Sequence, residues 1–154
     1  MTLAPRSGTA PTTSDDGPHR QVDQLAPPAL WGELVAAATA LPGVVEGHSQ
    51  VSPASSRALF LREVLETREP SSSLAPVGQR LEPVHLHGVD DTSIHLCLPP
   101  DRAEQVCALG WGEPHQYGDY GTETMVYGPR DDAELAVVLG LVESSLAFAR
   151  AANS

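Results

Sequence analysis

The sequence predicts an α+β domain: a mainly antiparallel sheet with a central hairpin, flanked by an N-terminal helix, a short middle helix and a long C-terminal helix. Three observations carry this prediction. PVHLHG and SIHLCLP alternate apolar and polar residues at period two around the turn-rich Gly88-Val89-Asp90-Asp91, which is the pattern of a β-hairpin. Leu135, Val138, Leu139, Val142, Leu146 and Ala149 form one apolar stripe at helical spacing, as a helix packed on a sheet requires. The extended segments cluster in sequence with helices on either side, which favours α+β over alternating βαβ units.

In chain order, residues 1–28 are rich in Pro, Thr, Ser, Gly and Asp and nearly free of large apolar side chains. Such a segment buries too little surface to offset its ordering entropy, so the expectation is a disordered tail until it docks, ahead of one domain over residues 29–154. The first helix starts after Pro27-Pro28, runs through Leu30, Leu34, Val35, Ala38 and Leu41, and ends at Pro42-Gly43. Extended segments are expected near Val44–Val51 and Arg57–Val64, although RALFLREVLE also fits a helix. Glu69–Gln79 reads as a loop, a connector more readily than a lid. After the hairpin, Pro99-Pro100 stops the strand, and Asp101 with Glu104 resembles a capping box for a helix that ends at Gly110. GWGEPHQYGDYG is a loop by its glycine content, and TETMVY is a short strand. The last helix opens at Asp131, and Asp131 and Glu134 read as caps rather than catalytic acids.

Composition narrows the partners. The 154 residues suit one hydrophobic core, and the formal charge is −11. All nine basic residues are arginines scattered singly, so no stripe exists to neutralise phosphates, and neither nucleic acid nor an anionic membrane surface is expected. No run approaches the about 18–20 apolar residues of a membrane span, and the opening residues lack a signal-peptide core, so the expected location is cytoplasmic. Cys97 and Cys107 make neither a disulfide framework nor a metal motif and read as ordinary buried thiols.

The histidines carry the chemistry. In the hairpin Val84 and Leu86 point to one face and His85 and His87 to the other; in the partner strand Ile94, Leu96 and Leu98 share a face opposite His95 and Cys97. A half-buried sheet must place both apolar sets on the same side, and that requirement puts His85, His87 and His95 together on the other. With His87 opposite His95, their Cβ atoms would lie about 4.5–5.5 Å apart. Three readings are open: a solvated sheet face, a metal site of imidazole ligands, or a metal-free acid–base or binding site. The His-x-His pair is similar to the metal motif of cupins, but the glutamate expected after it is missing, and no later Gly-Pro-His motif follows.

A family resemblance rests on the combined spacing. His85-x-His87, Asp91, Ser93, His95, Gly110-Trp111-Gly112 and His115, then Tyr127, Pro129, Arg130, Asp131, Glu134, Val137-Val138, Val142, Glu143 and Ser145, resemble the domain of the fungal luciferases and their bacterial relatives. The resemblance covers roughly residues 81–150. It implies an oxygenase that attacks a small enolic substrate, α-pyrone or polyketide-like, with molecular oxygen and with no cofactor required; light emission is not implied. A divalent metal held by His85, His87, His95 and His115, or a non-catalytic small-molecule binding module, are the alternatives. In the leading reading His85, His87 or His95 is the base, and His115 or Arg130 stabilises the reduced oxygen. Trp111 and Tyr127 wall the pocket, and Asp91 orients a histidine tautomer. The loop after His115, Gln-Tyr-Gly-Asp-Tyr-Gly, differs from the stretch common in relatives, which points to a different substrate.

Overall fold

The computed structural model describes residues 2–116, 118 and 120–154; Tyr117 and Asp119, in the divergent loop, lie outside the described residues. Among the described residues the chain forms α1 (Pro28–Thr39), β1 (Val44–His48), β2 (Arg57–Leu61), β3 (Val84–Gly88), β4 (Asp91–Cys97), α2 (Pro100–Ala108), β5 (Gly112–Pro114), β6 (Glu123–Val126) and α3 (Asp132–Asn153). The strands make one antiparallel sheet in the order β1-β2-β3-β4-β6-β5, with the β3–β4 hairpin at its centre.

One face of this sheet is the core. Val84, Leu86, Ile94 and Leu96 meet Trp31, Leu34 and Ala38 of α1 and Val138, Leu141, Val142 and Leu146 of α3, all buried. Helix α3 lies along β3 and β4, and α1 rests against α3 and β1. By length and composition α3 could cross a membrane, with a mean hydropathy of 1.6 over its most apolar window. Its apolar stripe is the surface packed on the sheet, and a core helix has that composition for that reason. Asp131 caps it as expected, accepting from Glu134 N–H at 2.8 Å.

Several local expectations are corrected. The extended segment expected near Arg57–Val64 is borne out, not the helix that RALFLREVLE also fits: it is a strand at Arg57–Leu61, between β1 and β3, with Ala58, Leu59, Phe60 and Leu61 all buried, so both its faces are apolar and period two vanishes. Helix α2 begins two residues earlier than a capping Asp101 would allow: Pro99 is the N-cap, Pro100 opens the helix, and Asp101 lies in the first turn, where a carboxylate suits the helix dipole. The glycine-rich GWGEPHQYGDYG contains the short strand β5, admitted because Gly112 has no Cβ; one built there would lie 2.5 Å from the Met125 carbonyl oxygen. Glu69–Gln79 holds a 3-10 turn at Pro70–Ser72. Cys97 and Cys107 are free thiols, and burial pushes both pKa values up.

The largest correction concerns residues 1–28, expected as a disordered tail. From Thr2 onward this segment is docked as a strap with Leu3, Arg6, His19, Gln21 and Ala26 buried. Polar contacts rather than apolar area hold most of it. Arg6 N–H donates to Leu109 O at 2.9 Å, Gln21 N–H to Asp91 Oδ1 at 2.9 Å, and Ala26 N–H to Thr92 Oγ1 at 2.9 Å. The Gln21 side chain donates to Asp23 O and Gln24 O and accepts from Gly128 N–H. Composition measures apolar burial and so misses a segment anchored through its backbone.

Candidate functional site

The second face of the sheet carries the histidines. The pleat places His85, His87 and His95 on it together, as the apolar pattern requires, but the register differs in detail. His85, not His87, stands directly opposite His95, with Leu86 opposite Ile94, and a register shift between Leu86 and Gly88 carries His87 toward the hairpin end. The rings nevertheless converge, with centroids 5.4 Å apart for His85–His87, 5.0 Å for His85–His95 and 4.3 Å for His87–His95. His115, just after β5, joins from the loop with its ring centroid 4.6 Å from His95. The strap adds His19, 4.9 Å from His115 and 6.0 Å from His95. His85 and His95 are each 4% exposed and His19 is 3% exposed, so these imidazoles are largely out of water.

Most of them have a carboxylate at one ring nitrogen. His85 Nδ1 meets Glu82 Oε2 at 3.0 Å, and His87 Nδ1 meets Asp91 Oδ2. His115 Nδ1 lies 3.3 Å from Glu123 Oε2, and His19 Nε2 lies 2.9 Å from Glu113 Oε2. A carboxylate at Nδ1 fixes the Nδ1–H tautomer and leaves the Nε2 lone pair of His85 and His87 for another partner. His95 differs: among the described residues its buried Nε2 has no hydrogen-bond partner.

Burial and crowding set the charges. Burial first, then the His87 charge, lowers the His85 pKa against the hydrogen bond that His85 donates to Glu82. Burial and the surrounding imidazoles push His95 well below the ordinary value, and burial with His19, His85 and His87 pushes His115 down to about 4. Burial works against ionisation of Glu82, yet hydrogen bonds from His85, Gln50 N–H and the Ser49 hydroxyl win and hold its pKa down. Asp91 is held down against its own burial by His87, Ser93 and Gln21 N–H. The result is neutral imidazoles at depth with ionised carboxylates behind them, an arrangement suited to accepting protons or ligating a cation.

The five imidazoles border a cavity of about 460 Å³. Its walls are the strap at Gly17-Pro18-His19, the β1–β2 loop at Val51-Ser52-Pro53, and Leu74 from the Glu69–Gln79 loop, which is therefore a wall as well as a connector. Trp111, Tyr127 and Arg130, expected around the substrate, are not among its lining residues and instead hold the strap. Trp111 Nε1–H donates to Ala4 O at 2.7 Å, and Arg130 Nη2 donates to Ser7 O at 2.7 Å. The Arg6 guanidinium lies 5.3 Å over the Tyr127 ring, whose hydroxyl donates to Glu113. Arg130 also pairs with Glu134. The residues that sequence reasoning missed are His19, Glu82, Glu113, Glu123 and Ser49. Each lies outside the His-x-His strand pattern; the one available signal was that the chain has only six histidines.

A family model described as Luciferase domain matches residues 80–145. Luciferases of Armillaria ostoyae and Armillaria gallica are each 30% identical to this chain over 162 residues, covering 95% of this chain and 60% of the relative. A luciferase of Neonothopanus nambi is 34% identical over 73 residues, 44% of this chain and 27% of the relative. The chain thus spans about three fifths of the length of the Armillaria relatives, and the similarity to them reaches well beyond residues 81–150 into the strap and first strands. No solved structure matches it.

Proposed function

We propose that this chain, which belongs to the fungal luciferase-like family, is an oxidoreductase that adds molecular oxygen to a small enolic substrate of α-pyrone or polyketide type. The observation that carries the reading is the walled cavity itself, bordered by imidazoles that are kept neutral at depth and backed by ionised carboxylates. An enol must lose its proton before it is electron-rich enough to pass an electron to oxygen. His115, neutral near pH 7 because burial and its neighbours push it to about 4, is the proton acceptor, with Glu123 beside its Nδ1. A weak base suffices for a vinylogous acid such as a hydroxypyrone. The enolate carbon then bonds to oxygen, and the negative charge that develops on the reduced oxygen is met by the proton that His115 has taken up. The strap and the β1–β2 loop flank the place where the peroxide would form.

Oxygen consumption by the purified chain, with a panel of hydroxypyrones and related enols, tests the proposal. The expected result is uptake with at least one enol that falls by about 10²–10⁴-fold in His115→Ala, the usual worth of a positioned base. Tight binding of an enol with no oxygen uptake would make the domain a binding module and end the oxygenase reading.

A further inference from the structure

We infer that His85, His87 and His95 together form a binding site for one first-row divalent transition-metal ion, such as Fe(II), Mn(II), Co(II) or Zn(II), with its remaining positions open to the cavity. The inference deepens the reading above and rests on it for the choice of pocket, not for the substrate. One ring nitrogen from each of the three lies within 4.8 Å of the other two. An ion about 2.1 Å from a ring nitrogen sits about 3.2 Å from that ring's centroid, so imidazoles at about 90–110° around it have centroids about 4.5–5.2 Å apart. The observed separations of 4.3, 5.0 and 5.4 Å bracket that range.

Two further features point to an ion rather than to three packed rings. The Nε2 of His95 is buried and, among the described residues, has no hydrogen-bond partner, which is costly for a polar atom unless something else fills its lone pair. His85 and His87 each present Nδ1 to a carboxylate, Glu82 at 3.0 Å and Asp91. A carboxylate behind a histidine is the outer support of most histidine-ligated metals, because it fixes the tautomer and turns Nε2 toward the ion. Both carboxylates are themselves held, Glu82 by Ser49 Oγ at 2.6 Å and Gln50 N–H at 2.8 Å, and Asp91 by Ser93 Oγ at 2.7 Å and Gln21 N–H at 2.9 Å. Three neutral nitrogen ligands leave an ion its positive charge and vacant positions, so it would draw in an anionic oxygen ligand such as an enolate. His95, His115 and Glu123 form an overlapping trio that shares His95.

Titration of Co(II) alone into the chelator-treated, untagged full chain tests this. One equivalent is expected to bind and to give a visible d–d spectrum, and X-ray absorption of that wild-type complex should count three imidazoles. His85→Ala, His87→Ala and His95→Ala should each abolish the spectrum, Asp91→Asn should weaken binding about 10–100-fold, and His48→Ala, exposed and outside the cluster, should leave it unchanged. Absence of binding by the wild-type chain, fewer than three imidazoles in the absorption data, or binding that survives all three alanine variants would overturn the inference. The titration contains no organic substrate, so failure of every enol to consume oxygen leaves it standing. Oxygen uptake by a chain that binds no cobalt sinks the metal site and leaves the oxygenase.

Discussion

Glu82 shows how much the site demands of single residues. It is fully buried, yet it stays ionised because His85, Ser49 and the Gln50 amide all donate to it. That bonding ties the charge state of the imidazoles to the stability of the fold. His85, His95 and His115 titrate below the ordinary histidine value in the folded chain, His115 near 4, whereas in the unfolded chain they titrate at about 6.5. Between those values the unfolded state binds protons that the folded state refuses, so stability rises with pH. Their contribution is therefore complete above about pH 6.5 and is lost as the pH falls toward 4. The depressed Glu82 and Asp91 act in the same direction at lower pH. Thermal unfolding followed by circular dichroism should show a midpoint that is level near neutrality and falls steadily from pH 6.5 to 4. A midpoint that rises on acidification would mean that the imidazoles are charged in the folded state.

At the scale of elements, a helix end holds the loop that walls the cavity. Asn153, in the last turn of α3, is 2% exposed; its Oδ1 accepts from Arg68 N–H and Glu69 N–H, and its Nδ2 donates to Ser72 Oγ. Those bonds fix the start of the Glu69–Gln79 loop, and Leu74 of that loop reaches the cavity. Asn153→Ala leaves two backbone amides without an acceptor and should cost about 2–3 kcal/mol, seen as a lower urea midpoint at an unchanged slope. A loss below about 0.5 kcal/mol would show that water replaces the side chain at no cost and that the loop is held elsewhere. The hairpin and α3 were legible because each has an apolar side and a polar side, and that contrast writes the period into the sequence even where, as in β4, both sides are buried. Strand β2 was ambiguous because Ala58, Leu59, Phe60 and Leu61 are apolar and buried on both faces, with only Arg57 exposed. The His87 position relative to His95 depended on a local register shift beside Gly88, for which alternation gives no sign.

Across the whole molecule, the site is assembled from distant pieces of chain. Hairpin histidines were legible from the pleat, but His19 was not, since it sits in a polar, proline-containing strap with no periodic signal. The strap also explains Trp111, Tyr127 and Arg130: a resemblance marks residues that matter without saying whether they touch a ligand, and here they fasten the segment that carries His19. Asp91 and Thr92 couple the two halves, because Asp91 bonds both His87 and the Gln21 amide while the neighbouring Thr92 hydroxyl accepts from the Ala26 amide. Thr92→Val keeps the shape of this fully buried side chain and removes only that acceptor. The Ala26 amide is then buried without a partner, at a cost of about 1–3 kcal/mol, and the cheapest escape is for the strap to lift. Hydrogen exchange at the Gln21, Val22 and Ala26 amides should accelerate about tenfold or more while that of β3 and β4 changes far less. Oxygen uptake should fall with it, as His19 and the wall at Gly17-Pro18 leave the cavity. Equal acceleration throughout the sheet would instead make the strap part of one cooperative unit with the core, and no separate opening over the histidines would exist.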